Sequence, residues 1–143
     1  MQKVETVAII NAEIRKVWEG YINPESIKGW AFASDDWECP YAENDLRVGG
    51  RFLTRMKEKD GGFGFDLTGT YREVENLKKI VYVMDKAPEE EVGRECIVTF
   101  EDLGDNTTKV IVAFDPESTN PIEMQRAGWQ SILDNFKKFV ETH

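Results

Sequence analysis

Asn120-Pro121-Ile122-Glu123-Met124-Gln125-Arg126-Ala127-Gly128-Trp129-Gln130-Ser131-Ile132-Leu133-Asp134-Asn135-Phe136-Lys137-Lys138-Phe139-Val140 is the stretch on which the fold turns. Ile122, Trp129, Ile132, Leu133, Phe136, Phe139 and Val140 recur at three- and four-residue steps. That spacing predicts a helix of about twenty residues with a wide apolar stripe. Asn120-Pro121-Ile122-Glu123 reads as its start, a capping box with Pro at the first helical position, where a missing N–H is harmless. A stripe this wide needs a large covering surface, and only a sheet face supplies one here.

The residues just upstream provide that sheet. Cys96, Val98 and Phe100 alternate with Glu95, Thr99 and Glu101, and after Leu103-Gly104-Asp105-Asn106, Val110, Val112 and Phe114 alternate with Lys109 and Ala113. Alternation of period two is what an antiparallel sheet with one covered face requires. Ile97 and Ile111 make the outer face partly apolar, as in a monomer or a weak dimer. Further upstream the period persists. Phe52, Thr54 and Met56 oppose Arg51, Leu53, Arg55 and Lys57; Lys59-Asp60-Gly61-Gly62 signals a turn; Phe65, Leu67 and Tyr71 alternate with Asp66, Thr68, Thr70 and Arg72. A turn at Glu75-Asn76 precedes a strand from Ile80 to Met84, and a polar loop runs from Pro88 to Gly93. At the other end, Val4 to Ile10 reads as a strand. Asn11 offers a cap for a short helix carrying Ile14, Val17, Trp18 and Tyr21, and Asn23-Pro24 starts a second short helix ending near Gly29-Trp30. Residues 31–50 read as irregular, with Trp37, Pro40 and Tyr41 among acids, and Gly49-Gly50 as a sharp bend into the next strand. The expectation is one α+β domain over residues 1–143. Six or seven antiparallel strands would curl around the long C-terminal helix, with two short helices after the first strand.

Composition excludes several function classes. With 18 basic and 27 acidic residues the net charge is −9, which repels phosphate backbones and anionic membrane surfaces. The runs Asp35, Asp36, Glu38 and Glu89, Glu90, Glu91 read as solvated loops. No segment reaches the roughly 20 apolar residues of a membrane span, and no signal peptide is visible, so a cytoplasmic location is expected. The single histidine is His143, at the end of the chain, which argues against a His-based triad or metal site. Neither Cys39 nor Cys96 has a histidine to activate it, and Cys96 reads as core. No catalytic residue, metal ligand or cofactor motif is assigned. Gly49-Gly50 and Gly61-Gly62-Phe63-Gly64 lack the strand–helix setting of a phosphate loop.

The order of elements resembles the START-like (SRPBCC) superfamily, whose members have a helix-grip fold. Val17-Trp18, Asn23-Pro24-Glu25 with Trp30, Asp45-Leu46-Arg47-Val48-Gly49-Gly50-Arg51-Phe52, and Gly128-Trp129 resemble the homologues of the activator of the Hsp90 ATPase over essentially the whole chain. The resemblance implies a hydrophobic small-molecule pocket between sheet and helix. It also implies a second reading, a co-chaperone-like stress-response module with a chaperone as partner. The superfamily contains a third class, enzymes such as polyketide cyclases and hydrolases. The eukaryotic activators carry a further N-terminal domain that a 143-residue chain has no room for.

Sixteen aromatics support the pocket: eight Phe, four Tyr and four Trp. The residues expected at the sheet–helix interface are Phe52, Met56, Leu67, Tyr71, Val98, Phe100, Val112, Trp129, Leu133 and Phe136, with Trp30 closing one end; all of these but Val112 are the ones expected to bind a hydrophobic or aromatic molecule without catalysis. Tyr71 and Trp129 would orient a polar group, while Arg55 and Arg72 point outward. The same side chains can equally fill a core. Ligand pockets start at roughly 300 Å³. Leaving such a volume dry and empty costs on the order of 7 kcal/mol at about 24 cal/mol per Å³. A cavity here should therefore be small, wet or occupied, entered between the terminal helix and residues 31–50.

Overall fold

The computed structural model describes residues 2–88 and 90–143; Met1, and Glu89 of the acidic run, lie outside the described residues. Seven strands form one antiparallel sheet: β1 (Val4–Ile10), β2 (Trp37–Asn44), β3 (Arg51–Glu58), β4 (Gly64–Glu75), β5 (Lys79–Met84), β6 (Glu95–Gly104) and β7 (Thr107–Phe114). Their spatial order is β1-β7-β6-β5-β4-β3-β2, so β2 to β7 follow one another as hairpins and β1 returns to pair with β7. Two short helices, α1 (Ile14–Ile22) and α2 (Pro24–Ile27), follow β1, and α3 (Ile122–Thr142) ends the chain. This is the helix-grip architecture expected from the sequence.

The alternation fixes which face is covered. Inner residues of β1, β3, β6 and β7 are buried while their neighbours point out, so Val98, Phe100, Val110, Val112 and Phe114 share one face with Phe52 and Met56. The β6–β7 turn places Asp105 and Asn106 both at positive φ (53° and 55°), the signature of a type I′ hairpin. Gly49, at φ 85°, donates its N–H to Tyr71 O at 2.9 Å, and Gly50 sits against Asp45 O, where a Cβ would lie 2.0 Å away. The pair is a bend that locks the start of β3 onto β4, as its position predicts.

Three local expectations are corrected. Residues 31–50 contain a strand, β2, at the sheet edge. Its signal is hidden by a bulge: Trp37 pairs with Glu58, but after the register shift between Glu38 and Tyr41 the pairs are Ala42 with Thr54 and Asn44 with Phe52. One extra residue moves the inner set from odd to even positions, so the period-two count fails, and Pro40 sits where edges and bulges tolerate it. Asn11 does not cap α1. The helix starts at Ile14 without a side-chain cap, and the Asn11 amide N–H is drawn instead to Glu141 Oε2 (2.8 Å). The capping box at Asn120 does not form either. Pro121 precedes the helix, the Asn120 side chain donates to Glu117 Oε2 (3.1 Å), and Glu123 pairs with Arg126. Gln125 instead ties the preceding loop to the helix, donating to Glu117 O (3.0 Å) and Asn120 O (2.8 Å) and accepting from the Glu117 N–H (2.9 Å). Asn23 does cap α2, accepting from the Glu25 N–H at 2.9 Å.

The other sheet edge, β1, is closed by α3. Gln130 accepts from Val7 N–H (3.2 Å) and donates to Val7 O (3.0 Å), and Lys137 donates to Ile9 O (2.8 Å). Side chains of the helix thus satisfy backbone groups that an edge strand leaves unpaired. Among the described residues no helix is long and apolar enough to cross a membrane.

Candidate functional site

Between the sheet and α3 lies a partly open cavity of about 120 Å³. Each wall follows from the elements just described. The inner faces of β3 and β4 contribute Phe52, Thr54, Met56, Leu67 and Tyr71; β5 contributes Ile80 and Tyr82, and β7 contributes Val112. Opposite them, α3 presents Trp129, Ile132 and Leu133. Tyr21, Ile27, Trp30 and Ala31 close one end, and the edge strand adds Glu43 and Asn44.

Seven of the ten residues expected from the sequence therefore lie together around this space: Trp30, Phe52, Met56, Leu67, Tyr71, Trp129 and Leu133. Val98, Phe100 and Phe136 do not line it, which corrects the expectation. Val98 and Phe136 are fully buried in solid core. Phe100 lies under α1, its ring 5.0 Å from Trp18 and 5.6 Å from Tyr21. Helix α1 covers the inner face of β6, so residues of correct parity there meet a helix and not a void. Tyr82 and Ile80 went unassigned although the strand at 80–84 was legible. A near-continuous apolar run gives no inner parity to choose by. Asn44 and Glu43 were hidden with β2.

Polar groups punctuate the apolar walls. Trp30 donates from Nε1 to Gly20 O (2.9 Å), and Asn135 donates from Nδ2 to Trp30 O (3.0 Å) and Phe32 O (3.3 Å), fixing the end loop to α1 and α3. The Tyr71 hydroxyl donates to Asn44 Oδ1, and Asn44 donates from Nδ2 to Ile22 O (2.7 Å). One amide thus ties β4 and β2 to the end of α1. Trp129 stacks on Phe114 with ring centroids 4.1 Å apart. Gly69 leaves room for Phe52: a Cβ there would lie 2.7 Å from its ring.

Burial raises the phenols of Tyr21, Tyr71 and Tyr82, so all three stay protonated at neutral pH. The Cys96 thiol, beside Tyr82 on the neighbouring strand, is pushed up to about 12 by burial, and Cys39 is raised for the same reason. As thiols at neutral pH they are poor nucleophiles. Among the described residues no three or more His, Cys, Asp or Glu side chains gather where a metal ion would be held. The outward arginines behave as their parity predicts: Arg55 pairs with Asp66 at 3.2 Å, and Arg72 is exposed.

Comparison with known proteins agrees with this architecture. The AHSA1-like protein from Aeromonas hydrophila is 42% identical, with 98% of this chain and 92% of that chain covered and a TM-score of 0.88. A protein from Cytophaga hutchinsonii is 39% identical, with 98% and 92% covered and a TM-score of 0.80. A protein from Chromobacterium violaceum, 22% identical over 99% of both chains with a TM-score of 0.82, shares the fold. No curated protein matches the chain. Residues 11–141 match the family described as activator of Hsp90 ATPase homolog 1-like protein, and the chain belongs to that family.

Proposed function

We propose that this protein binds a small hydrophobic or aromatic molecule between the sheet and α3, without catalysing a reaction on it. The observation that supports the reading is the cavity of about 120 Å³ with mainly apolar walls between sheet and helix. At about 24 cal/mol per Å³, leaving it dry and empty costs about 3 kcal/mol, a large share of the roughly 5–15 kcal/mol that hold a domain together. A ligand removes that cost. The size suits one ring, since an engineered apolar cavity of about 150 Å³ takes up benzene. The half-buried Trp129 and Leu67 and the exposed Glu43 put the mouth between α3 and β2, so the guest enters beside residues 31–44.

The test is a thermal-shift screen with single-ring aromatics, fatty acids and sterols, beside native mass spectrometry of freshly purified protein. A rise in Tm with single-ring compounds, or a co-purified small mass, is expected. No stabilisation by any class retires the pocket.

A second reading has its own observation. Trp37, Phe63 and Phe65 form an aromatic tip at the end of the β3–β4 hairpin, with centroids 6.0–6.1 Å apart and Phe63 62% exposed. Exposed aromatics are typical anchors of protein interfaces. In this reading the tip docks on an Hsp90-type chaperone, as the family description suggests. Chaperone ATP turnover measured with wild-type protein and with Phe63→Ala decides it: unchanged turnover with both rules the reading out.

A further inference from the structure

The cavity is not uniformly apolar: three phenols reach it, beside Thr54, Asn44 and Glu43. Tyr21 reaches it from α1 and Tyr71 and Tyr82 from adjacent strands, the two strand rings lying 6.3 Å apart. Tyr71 spends its proton on Asn44. Among the described residues, Tyr21 has no hydrogen-bond partner, and the Tyr82 hydroxyl faces only the thiol of Cys96, a weak acceptor. Tyr82 is 7% exposed, and Tyr21 sits among the rings of Trp30, Phe100 and Phe136. Two hydroxyl donors, one on the half-buried Tyr21 and one on the buried Tyr82, thus reach the same small space without a strong acceptor of their own. Donors converging on one small space without a protein acceptor suit a guest that brings an acceptor from outside.

Charge narrows what brings it. Among the described residues no lysine, arginine or histidine lines the cavity, and the one acidic side chain there is Glu43. An anionic guest would lose its hydration, meet no counter-charge and feel repulsion at the mouth. A cation would find aromatic walls and a carboxylate, but would also face hydroxyl protons it cannot accept.

We propose that the ligand is neutral, about one ring in size, and carries a carbonyl-type acceptor oxygen that takes hydrogen bonds from the Tyr21 and Tyr82 hydroxyls. The proposal rests on the pocket reading above and adds the chemistry of the guest.

The experiment compares four probes on the intact protein by calorimetry and by NMR shifts of the cavity methyl and aromatic signals. They are ethylbenzene, acetophenone, benzoate and phenyltrimethylammonium. Acetophenone should bind about tenfold more tightly than ethylbenzene, the gain from well-placed hydrogen bonds in a buried site, with benzoate and phenyltrimethylammonium weakest. Tyr82→Phe and Tyr21→Phe should each shrink the acetophenone-to-ethylbenzene ratio, and the double variant should bring it to about one. Because the readout is a ratio within one variant, a general loss of affinity from loosened packing does not mimic it.

Equal binding of ethylbenzene and acetophenone by the wild type would overturn this inference, the hydroxyls then being kept by water, and would leave the pocket reading standing. Tightest binding of either charged probe overturns it too. If neither neutral probe shifts the cavity signals, the pocket reading itself fails and takes the proposal with it.

Discussion

The two halves of the sheet carry the same alternation and end differently. On the side of β1, β7 and β6, Ile10, Cys96, Val98, Val110, Thr108 and Phe114 are fully buried, as are Val17 of α1 and Phe136 and Val140 of α3. On the side of β2 to β5, Ile80 and Met84 come to that state, while Phe52, Thr54, Met56 and Tyr71 keep 7–9% of their surface and line the cavity. The cause is coverage. The backbone of α3 packs along β1, and α1 lies over β6 and β7, whereas no helix backbone packs to that degree on β3, β4 or β5. An apolar strand face becomes core or cavity wall according to what lies across from it.

Truncations on the two sides should therefore differ most. Phe136→Ala removes a ring that touches Tyr21 and Trp30 and approaches Gly20, and should cost about 4 kcal/mol in urea unfolding. Met56→Ala, on the cavity wall, has fewer contacts to lose and should cost about 2 kcal/mol. Equal losses would break the comparison.

Enlargement should go the other way. Thr54→Ile pushes carbon into existing space and should stabilise by about 1 kcal/mol while blocking acetophenone binding. Thr108→Ile, the same change in the packed half, overfills a site with no room and deletes the hydroxyl that donates to Ala12 O at 2.9 Å; it should destabilise by about 2 kcal/mol. Chemical denaturation of the pair reads both signs, and a Thr54→Ile variant less stable than wild type would mean the cavity is filled or its wall too stiff.

These asymmetries mark where sequence reading succeeds. The stripe from Ile122 to Val140 and the alternation at Cys96–Phe100 and Val110–Phe114 are local and regular, so the helix, the hairpin and their shared face were legible. Strand β2 was not, because its bulge moves the inner set by one residue and takes Asn44 out of sight. Phe100 and Leu67 both sit on inward positions of strands, yet only Leu67 meets the cavity. What separates them is α1, whose placement over β6 is a long-range outcome that periodicity does not encode. The closing of β1 by Gln130 and Lys137 is illegible for the same reason: a polar helix face looks solvated until a strand edge lies beside it.

That closed edge gives the smallest effect and the one with a pH signature. Glu141 accepts from the Asn11 N–H and pairs with Lys137, and these contacts hold its carboxyl below its usual value. A carboxylate depressed in the folded state adds stability above its unfolded pKa of about 4.3, and loses it as pH falls through the lower folded value. The group is near the surface, so the contribution should stay below about 1 kcal/mol. Glu141→Gln should accordingly be less stable than wild type at neutral pH, and the gap should close in acid, once both chains carry a neutral side chain there. Gln130→Ala, which uncaps Val7 and also removes the bond donated to Asp134 Oδ1 (2.8 Å), should cost a similar amount at neutral pH. If the Glu141→Gln gap fails to close in acid, the β1 edge is held by hydrogen-bond geometry alone, and charge has no part in keeping the packed half shut.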